Sequence, residues 1–234
     1  MPANRAIAAF AVHALTSSGA VLGLFALERA AAGDLRSCFA LLGAALVVDA
    51  LDGPIARAIG VAEALPRFSG VRLDLVVDYL TYCVVPAYIV LETEMLPEPV
   101  RGLAGAAIAF SSLFHFADRK SKTDDGFFVG FPAIWNLVVF YFHVLSPPPW
   151  LSAAAVGCFV VLTFVPVLWV HPLRAARLRP VTLAVVIAWA VAAASVLLTN
   201  TPAGPVETVV FAGTAIYMVM LCLGRTFLPR RPEA

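Results

Sequence analysis

The stretch LLGAALVVDALDGPIAR (residues 41–57), followed twelve residues later by GVRLDLVVDYLTYCVVPAYIVLE (70–92), is apolar enough to lie in a bilayer, yet it carries four aspartates, Asp49, Asp52, Asp74 and Asp78. A carboxylate deep in a spanning segment costs about 2.5–3.5 kcal/mol on insertion scales, so four cost on the order of 10 kcal/mol unless something offsets them. Spacing suggests the offset. Asp49 and Asp52 are three apart and Asp74 and Asp78 four apart, so each pair shares one face of a helix. Two such helices facing one another gather hard oxygen ligands with a charge of −4, which two divalent cations balance. Oxygen-only ligation suits Mg²⁺ or Mn²⁺ rather than zinc or copper. Two other arrangements use the same residues: a fixed polar core in which arginines pair with the aspartates, and a cation or proton pathway in a transporter.

Outward from these segments the chain keeps the same character. Of its 234 residues 61% are hydrophobic and 13% charged, against about 45–50% and about 25% in an ordinary soluble domain. A soluble fold of this length has no interior large enough for that much apolar surface. The expected fold class is all-α, a polytopic membrane protein forming a single integral membrane domain over 1–234. About 20 mostly apolar residues make one span, and eight segments qualify: 6–27, 38–58, 73–92, 99–117, 131–146, 150–170, 179–199 and 206–224. The first follows Arg5 and runs to Leu27, longer than a signal-peptide core, and reads as an uncleaved span. With the N-terminus inside, 13 of the 16 Lys and Arg fall in inside segments, leaving Arg29, Arg36 and Arg101 outside. That asymmetry supports eight spans, both termini in the cytoplasm, and aspartates near the cytoplasmic face. The net charge of +1 gives no reason to expect nucleic acid. Cys38, Cys83, Cys158 and Cys222 lie far apart, in no metal-binding spacing, and read as packing residues.

The fixed positions Asp49-x-x-Asp52-Gly53-x-x-Ala56-Arg57 and Gly70-x-x-x-Asp74-x-x-x-Asp78 resemble the signature of the CDP-alcohol phosphotransferase family at every defined position. One departure is visible: twelve residues separate Arg57 from Gly70, where the family usually has eight. The stretches around 65–70, 73–82, 130–136 and His171-Pro172-Leu173-Arg174 are similar to those of the bacterial phosphatidylcholine synthases, a subgroup in which the longer spacer is typical.

That resemblance implies a reaction in which an alcohol attacks the phosphatidyl phosphorus of CDP-diacylglycerol and CMP leaves. Choline is the acceptor it favours, with serine, inositol or glycerol phosphate as alternatives. It implies Asp49, Asp52, Asp74 and Asp78 as ligands of a divalent metal, Mn²⁺ or Mg²⁺, in two ions, with Asp78 also the base for the acceptor hydroxyl. Gly53, Ala56 and Gly70 would give the nucleotide room, although small residues also serve helix packing. Arg57 would contact phosphate, to which a planar guanidinium is suited. The family core would occupy spans within 1–170, with 171–234 an addition. A homodimer in the bacterial inner membrane, among membrane lipids, is also expected.

Remaining residues carry weaker signals. Quaternary ammonium groups are often held by aromatic faces, so Tyr79 and Tyr82, then Trp135 and Phe131, are candidates for choline, although Tyr and Trp also gather at membrane interfaces. Arg67 and Arg72 stand close enough to the motif in sequence to meet a phosphate. His13-x-x-Thr16-x-x-Gly19 in the first span occupies the place of a nucleotide-side Asn-x-x-Thr in the family. Lys120, Lys122, Arg174, Arg177 and Arg179 fit the inside charge bias, and His115 and His143 read as structural.

Overall fold

A computed structural model describes residues 3–123, 126–170, 179–199 and 203–227. The stretch His171–Arg174, Arg177 and the cations Arg230 and Arg231 lie outside the described residues. Helix α1 (Ala3–Ala31) ends at Gly33, whose φ of 75° is open to glycine at little cost. Asp34 then caps α2 (Leu35–Ile59), its carboxylate accepting the Ser37 N–H at 3.0 Å. The bonds from Ser37 hold the Asp34 carboxyl below its usual range. α2 stops at Gly60, φ 70°, and the Arg5 side chain of α1 donates to the Ile59 carbonyl at 3.2 Å, tying the two helix ends together.

A single turn, α3 (Val61–Ala64), leads to Ser69, whose Oγ accepts the Arg72 N–H at 3.3 Å and opens α4 (Gly70–Asp78). α4 continues through a π-helical turn, Tyr79–Val84, into α5 (Val85–Glu92). Then follow α6 (Glu98–Ala117), β1 (Phe128–Val129), α7 (Trp135–Leu145), α8 (Pro149–Thr163), β2 (Leu168–Trp169), α9 (Arg179–Thr199) and α10 (Pro205–Phe227).

Six helical stretches among the described residues are long and apolar enough to cross a membrane: Asn4–Ala31, Leu35–Ile59, Gly70–Glu92, Glu98–Ala117, Arg179–Thr199 and Pro205–Phe227. The protein is an all-α integral membrane protein. Large apolar side chains such as Phe10, Leu24, Leu103, Ile187 and Val209 point outward on these helices, as they do where lipid replaces water.

The fifth and sixth expected spans are shorter than the sequence suggests. Segment 131–146 is helical only over Trp135–Leu145, and 150–170 only over Pro149–Thr163. The reason is pairing across the fold. β1 and β2 form a two-stranded antiparallel ladder, the Gly130 N–H donates to the Val167 carbonyl at 2.9 Å, and the Phe131 N–H donates to the Leu162 carbonyl at 3.0 Å. These bonds satisfy backbone groups that a longer helix would satisfy along its own axis. Gly130, φ 77°, makes the turn, and a Cβ there would run into the backbone of Thr163.

α1 packs against α2 and α4. The approach to α4 is close because α1 presents glycine: a Cβ on Gly19 would lie 2.6 Å from Val77 Cγ1, and one on Gly23 2.9 Å from Leu80 Cδ2. Small residues that let backbones approach are the usual means of joining helices in lipid. The α9–α10 hairpin is joined by Thr182 and Tyr217 hydroxyls 2.8 Å apart, and Arg36 of α2 reaches the carbonyls of Leu197 and Leu198 at the end of α9.

Candidate active site

Three of the four aspartates converge. Asp49 of α2 and Asp74 and Asp78 of α4 each offer a carboxylate oxygen, and the three oxygens lie within 4.8 Å of one another. Asp52 is buried, 6% exposed, and lines the same cleft with Thr16, Ala45, Val48, Val77 and Thr81, but stands outside that close trio. The Tyr82 hydroxyl donates to Asp49 Oδ2 at 2.6 Å. Lys122, in the segment after α6, stands over the Phe128 ring at 5.2 Å.

Local structure aims these groups. Residues four apart on an α-helix drift by roughly 40° around the axis. The wider π turn after Asp78 reverses that drift, so Asp74, Asp78 and Tyr82 stay aligned toward α2. π turns inside α-helices occur often at functional sites. In α2, Pro54 has no N–H to give the Ala50 carbonyl, which loosens the helix in the turn holding Asp52 and Gly53.

Among the described residues none of the four aspartates forms an ion pair with Lys or Arg; the ion pair found there joins Arg29 to Glu28. Among the described residues, then, the chain builds no fixed core of aspartates neutralised by arginines. Like charges gathered at this spacing, each an oxygen donor, make a donor set that could hold a metal ion.

The other sequence candidates distribute unevenly around this cluster. Gly53 leaves a space into which Arg57 folds: a Cβ there would meet Arg57 Nη1 at 3.3 Å. Ala56 packs on the small α1–α3 cluster of Ala9, Val12, Val61 and Ala64. Gly70 faces His13, with 3.4 Å from a Cβ position to its Cε1. His13 is 7% exposed, its Nε2 has no hydrogen-bond partner, and its ring meets Phe68 edge-on. Arg67 lies over the Phe68 ring at 5.6 Å, and Arg72 is exposed.

Of the aromatic candidates, Tyr82 alone reaches the cluster. Tyr79 turns to α6, donating its hydroxyl to the Ala109 carbonyl at 3.1 Å and setting its ring against Phe116. Trp135 is fully buried, its indole N–H donates to Ser112 Oγ at 3.0 Å, and Phe131 stacks on Phe159 at 4.7 Å. These two lie in the aromatic core, since the helix start at Trp135 places them against α6 and α8 rather than α2. His115 and His143 sit among aromatic rings, on Phe116 and Phe128 and on Phe39 respectively.

Comparison with known proteins decides the family. No protein-family model matches the chain. The phosphatidylcholine synthase of Bradyrhizobium diazoefficiens is 42% identical over 217 residues, covering 93% of this chain and 81% of that protein. The phosphatidylcholine synthase of Rhizobium meliloti is 41% identical, covering 91% and 89%. That of Pseudomonas aeruginosa is 40% identical, covering 96% and 94%. The chain belongs to the phosphatidylcholine synthase family.

One polar contributor to this family member's cleft was not singled out in the sequence as acting there. Thr81 lines it, its hydroxyl turned to the Val77 carbonyl at 3.0 Å. Its position seven after Asp74 and three after Asp78 was the available signal, since those spacings share a helix face. Lys122 reads in the sequence as one of several charges obeying the inside bias. In the structure it stands over the Phe128 ring, beside a turn closed by Val129 N–H to the Ser121 carbonyl at 2.9 Å, a contact no local pattern announces.

Proposed function

We propose that this chain transfers the phosphatidyl group of CDP-diacylglycerol to choline, giving phosphatidylcholine and CMP. The observation that carries the reading is the trio Asp49, Asp74 and Asp78, assembled in apolar helices without an ion pair among the described residues, in a chain of this family.

Asp49, Asp52, Asp74 and Asp78 would hold divalent metal, Mn²⁺ or Mg²⁺ and by charge balance two ions, which when bound supplies neutralisation of the pyrophosphate charge. Asp78 takes the proton from the choline hydroxyl. The oxygen attacks the phosphatidyl phosphorus, the bond from that phosphorus to the CMP oxygen breaks, and the leaving electron pair stays on CMP. A placed base contributes about 10²–10⁴ to such a step. Tyr82 holds the Asp49 carboxylate in orientation through its 2.6 Å bond, and its ring is the aromatic surface nearest to hand for the trimethylammonium group.

Arg57 meets a phosphate of the nucleotide, in the space that Gly53 leaves and Gly70 extends. Arg67 in the loop before α4 and Arg72 in its first turn face the same anionic substrate, and His13 Nε2 has a hydrogen bond to offer beside Gly70. The location suits the substrate: acyl chains stay in lipid while cytidine stays in water. The distribution of Lys and Arg supports a site at the cytoplasmic face of the bacterial inner membrane with both termini inside. The resemblance to the wider family supports a homodimer.

The test is an acceptor panel. Purified protein in lipid nanodiscs receives CDP-diacylglycerol, Mn²⁺ and one labelled alcohol at a time: choline, serine, inositol or glycerol phosphate. Labelled lipid with choline alone, matched by CMP, is the expected result. Lipid with another alcohol and none with choline overturns the acceptor, and folded protein that releases no CMP with any of them overturns the reaction.

A further inference from the structure

At the end of the bundle away from the aspartates lies a second cavity, of about 290 Å³. Its wall includes Glu94, Met95, Phe142, His143, Ser146 and Ser152, and it reaches the first residue of α2. The fourteen residues from there to Asp49 measure roughly 21 Å along the helix, so the two sites stand at opposite ends of the spanning region.

The chemistry of this wall is one-sided. Glu94 is exposed and has neither an ion pair nor a hydrogen-bond partner among the described residues. The guanidinium nearest in sequence, Arg101, is turned to the Leu96 carbonyl at 2.9 Å. Among the described residues no Lys or Arg lines the cavity, so it offers an anion no opposite charge. One carboxylate is too few for a divalent ion, which requires several hard oxygens. The rest of the wall sets apolar and aromatic side chains beside the hydroxyls of Thr93 and Ser146, which donate to the Ile89 and His143 carbonyls, with the His143 ring tilted over Phe39 at 5.0 Å. Deep in this wall Ser152 is 1% exposed, and its Oγ has no hydrogen-bond partner. A buried hydroxyl left unpaired costs about 1–3 kcal/mol, a cost that a polar partner removes.

We propose that this cavity binds a small organic cation that also carries a hydroxyl or ester oxygen. The ammonium group lies toward Glu94 and the His143–Phe142 rings, and the oxygen meets Ser152 Oγ. A free amino alcohol and the headgroup of a zwitterionic lipid share that chemistry. The site is separate from the aspartate cluster, and its existence does not depend on the reaction assigned there.

Equilibrium dialysis of labelled choline and labelled tetramethylammonium against the full chain in phosphatidylglycerol nanodiscs tests this. Tetramethylammonium has no hydroxyl to react, so its binding is read apart from turnover. The expected result is a class of bound cation that weakens about three- to fivefold in Glu94→Gln, as for a solvent-exposed charge partner. The same class is lost in Ser152→Leu, which fills the cavity, while both variants still release CMP at saturating choline. Repeating the measurement in nanodiscs containing phosphatidylcholine assigns the source: a reduced class of bound choline identifies the lipid headgroup as occupant, and an unchanged one identifies the free cation. Cation binding unaltered in Glu94→Gln, which changes an exposed side chain and leaves the core intact, overturns the proposal. A cavity holding water alone gives that result.

Discussion

The α2–α4 pair and the α7–α8 pair both bring polar and aromatic side chains into the spanning region, and they settle them differently. Around Trp135 the groups complete one another. The indole N–H donates to Ser112, Phe131 stacks on Phe159, and the Cys83 thiol donates to the Ala133 carbonyl at 3.4 Å. Around Asp49, Asp74 and Asp78 three carboxylates of like charge meet with Tyr82 as hydrogen-bond donor and, among the described residues, no ion pair. Local choices that agree with the fold mark a core; choices that oppose it, and persist, mark a place where something else must bind. A sequence reading that ranks residues by chemical type places Trp135 and Tyr82 in one class. Their partners separate them.

The largest expected effect breaks the comparison on the aspartate side. Asp78→Asn lowers the rate of phosphatidylcholine formation by about 10²–10⁴, while the thermal midpoint holds or rises, because a carboxylate leaves an apolar helix. A parallel fall in thermal midpoint would place Asp78 in the core instead. Trp135→Ala is the mirror image. Loss of a fully buried indole costs about 3–5 kcal/mol of stability, read as a lower midpoint, with the choline KM of the folded fraction unchanged. A choline KM that rises in step would return Trp135 to the substrate site.

Tyr82→Phe sits between the two. It removes one hydrogen bond to a carboxylate, worth about 1.5–3 kcal/mol of stability, and the account expects a lower midpoint together with a roughly tenfold fall in kcat/KM. Gly130→Ala sharpens the other side: a side chain at φ 77° costs about 1–2 kcal/mol before its clash with the Thr163 backbone is counted. Its thermal midpoint falls and its metal dependence does not move. Smallest is Arg36→Ala, which frees the carbonyls at the end of α9 and lowers the midpoint by about 1 kcal/mol equivalent, with activity retained.

What the sequence revealed and what it concealed follow from the range of the interactions. Asp49 with Asp52, and Asp74 with Asp78, are legible because helix periodicity is local and a buried carboxylate stands out against Val, Leu and Ala. The six long spans are legible for the same reason. The ends of the fifth and sixth are not, because the ladder between Phe128–Val129 and Leu168–Trp169 joins residues about forty apart. The bond from Tyr82 to Asp49 spans 33 positions and depends on a π turn for which no single residue is diagnostic. Asp52 had the spacing of a fourth member of the trio, but the rotation of α2 leaves it at the cleft wall.

The most direct test is one assay run four ways: labelled phosphatidylcholine formed from CDP-diacylglycerol and labelled choline by the wild type and by Asp78→Asn, each with Mn²⁺ and with a chelator. The account predicts product and CMP in equal amounts from the wild type with Mn²⁺, and a loss on chelation as large as the loss in Asp78→Asn. Wild-type activity that survives chelation, or an Asp78→Asn protein as active as the wild type, would contradict it.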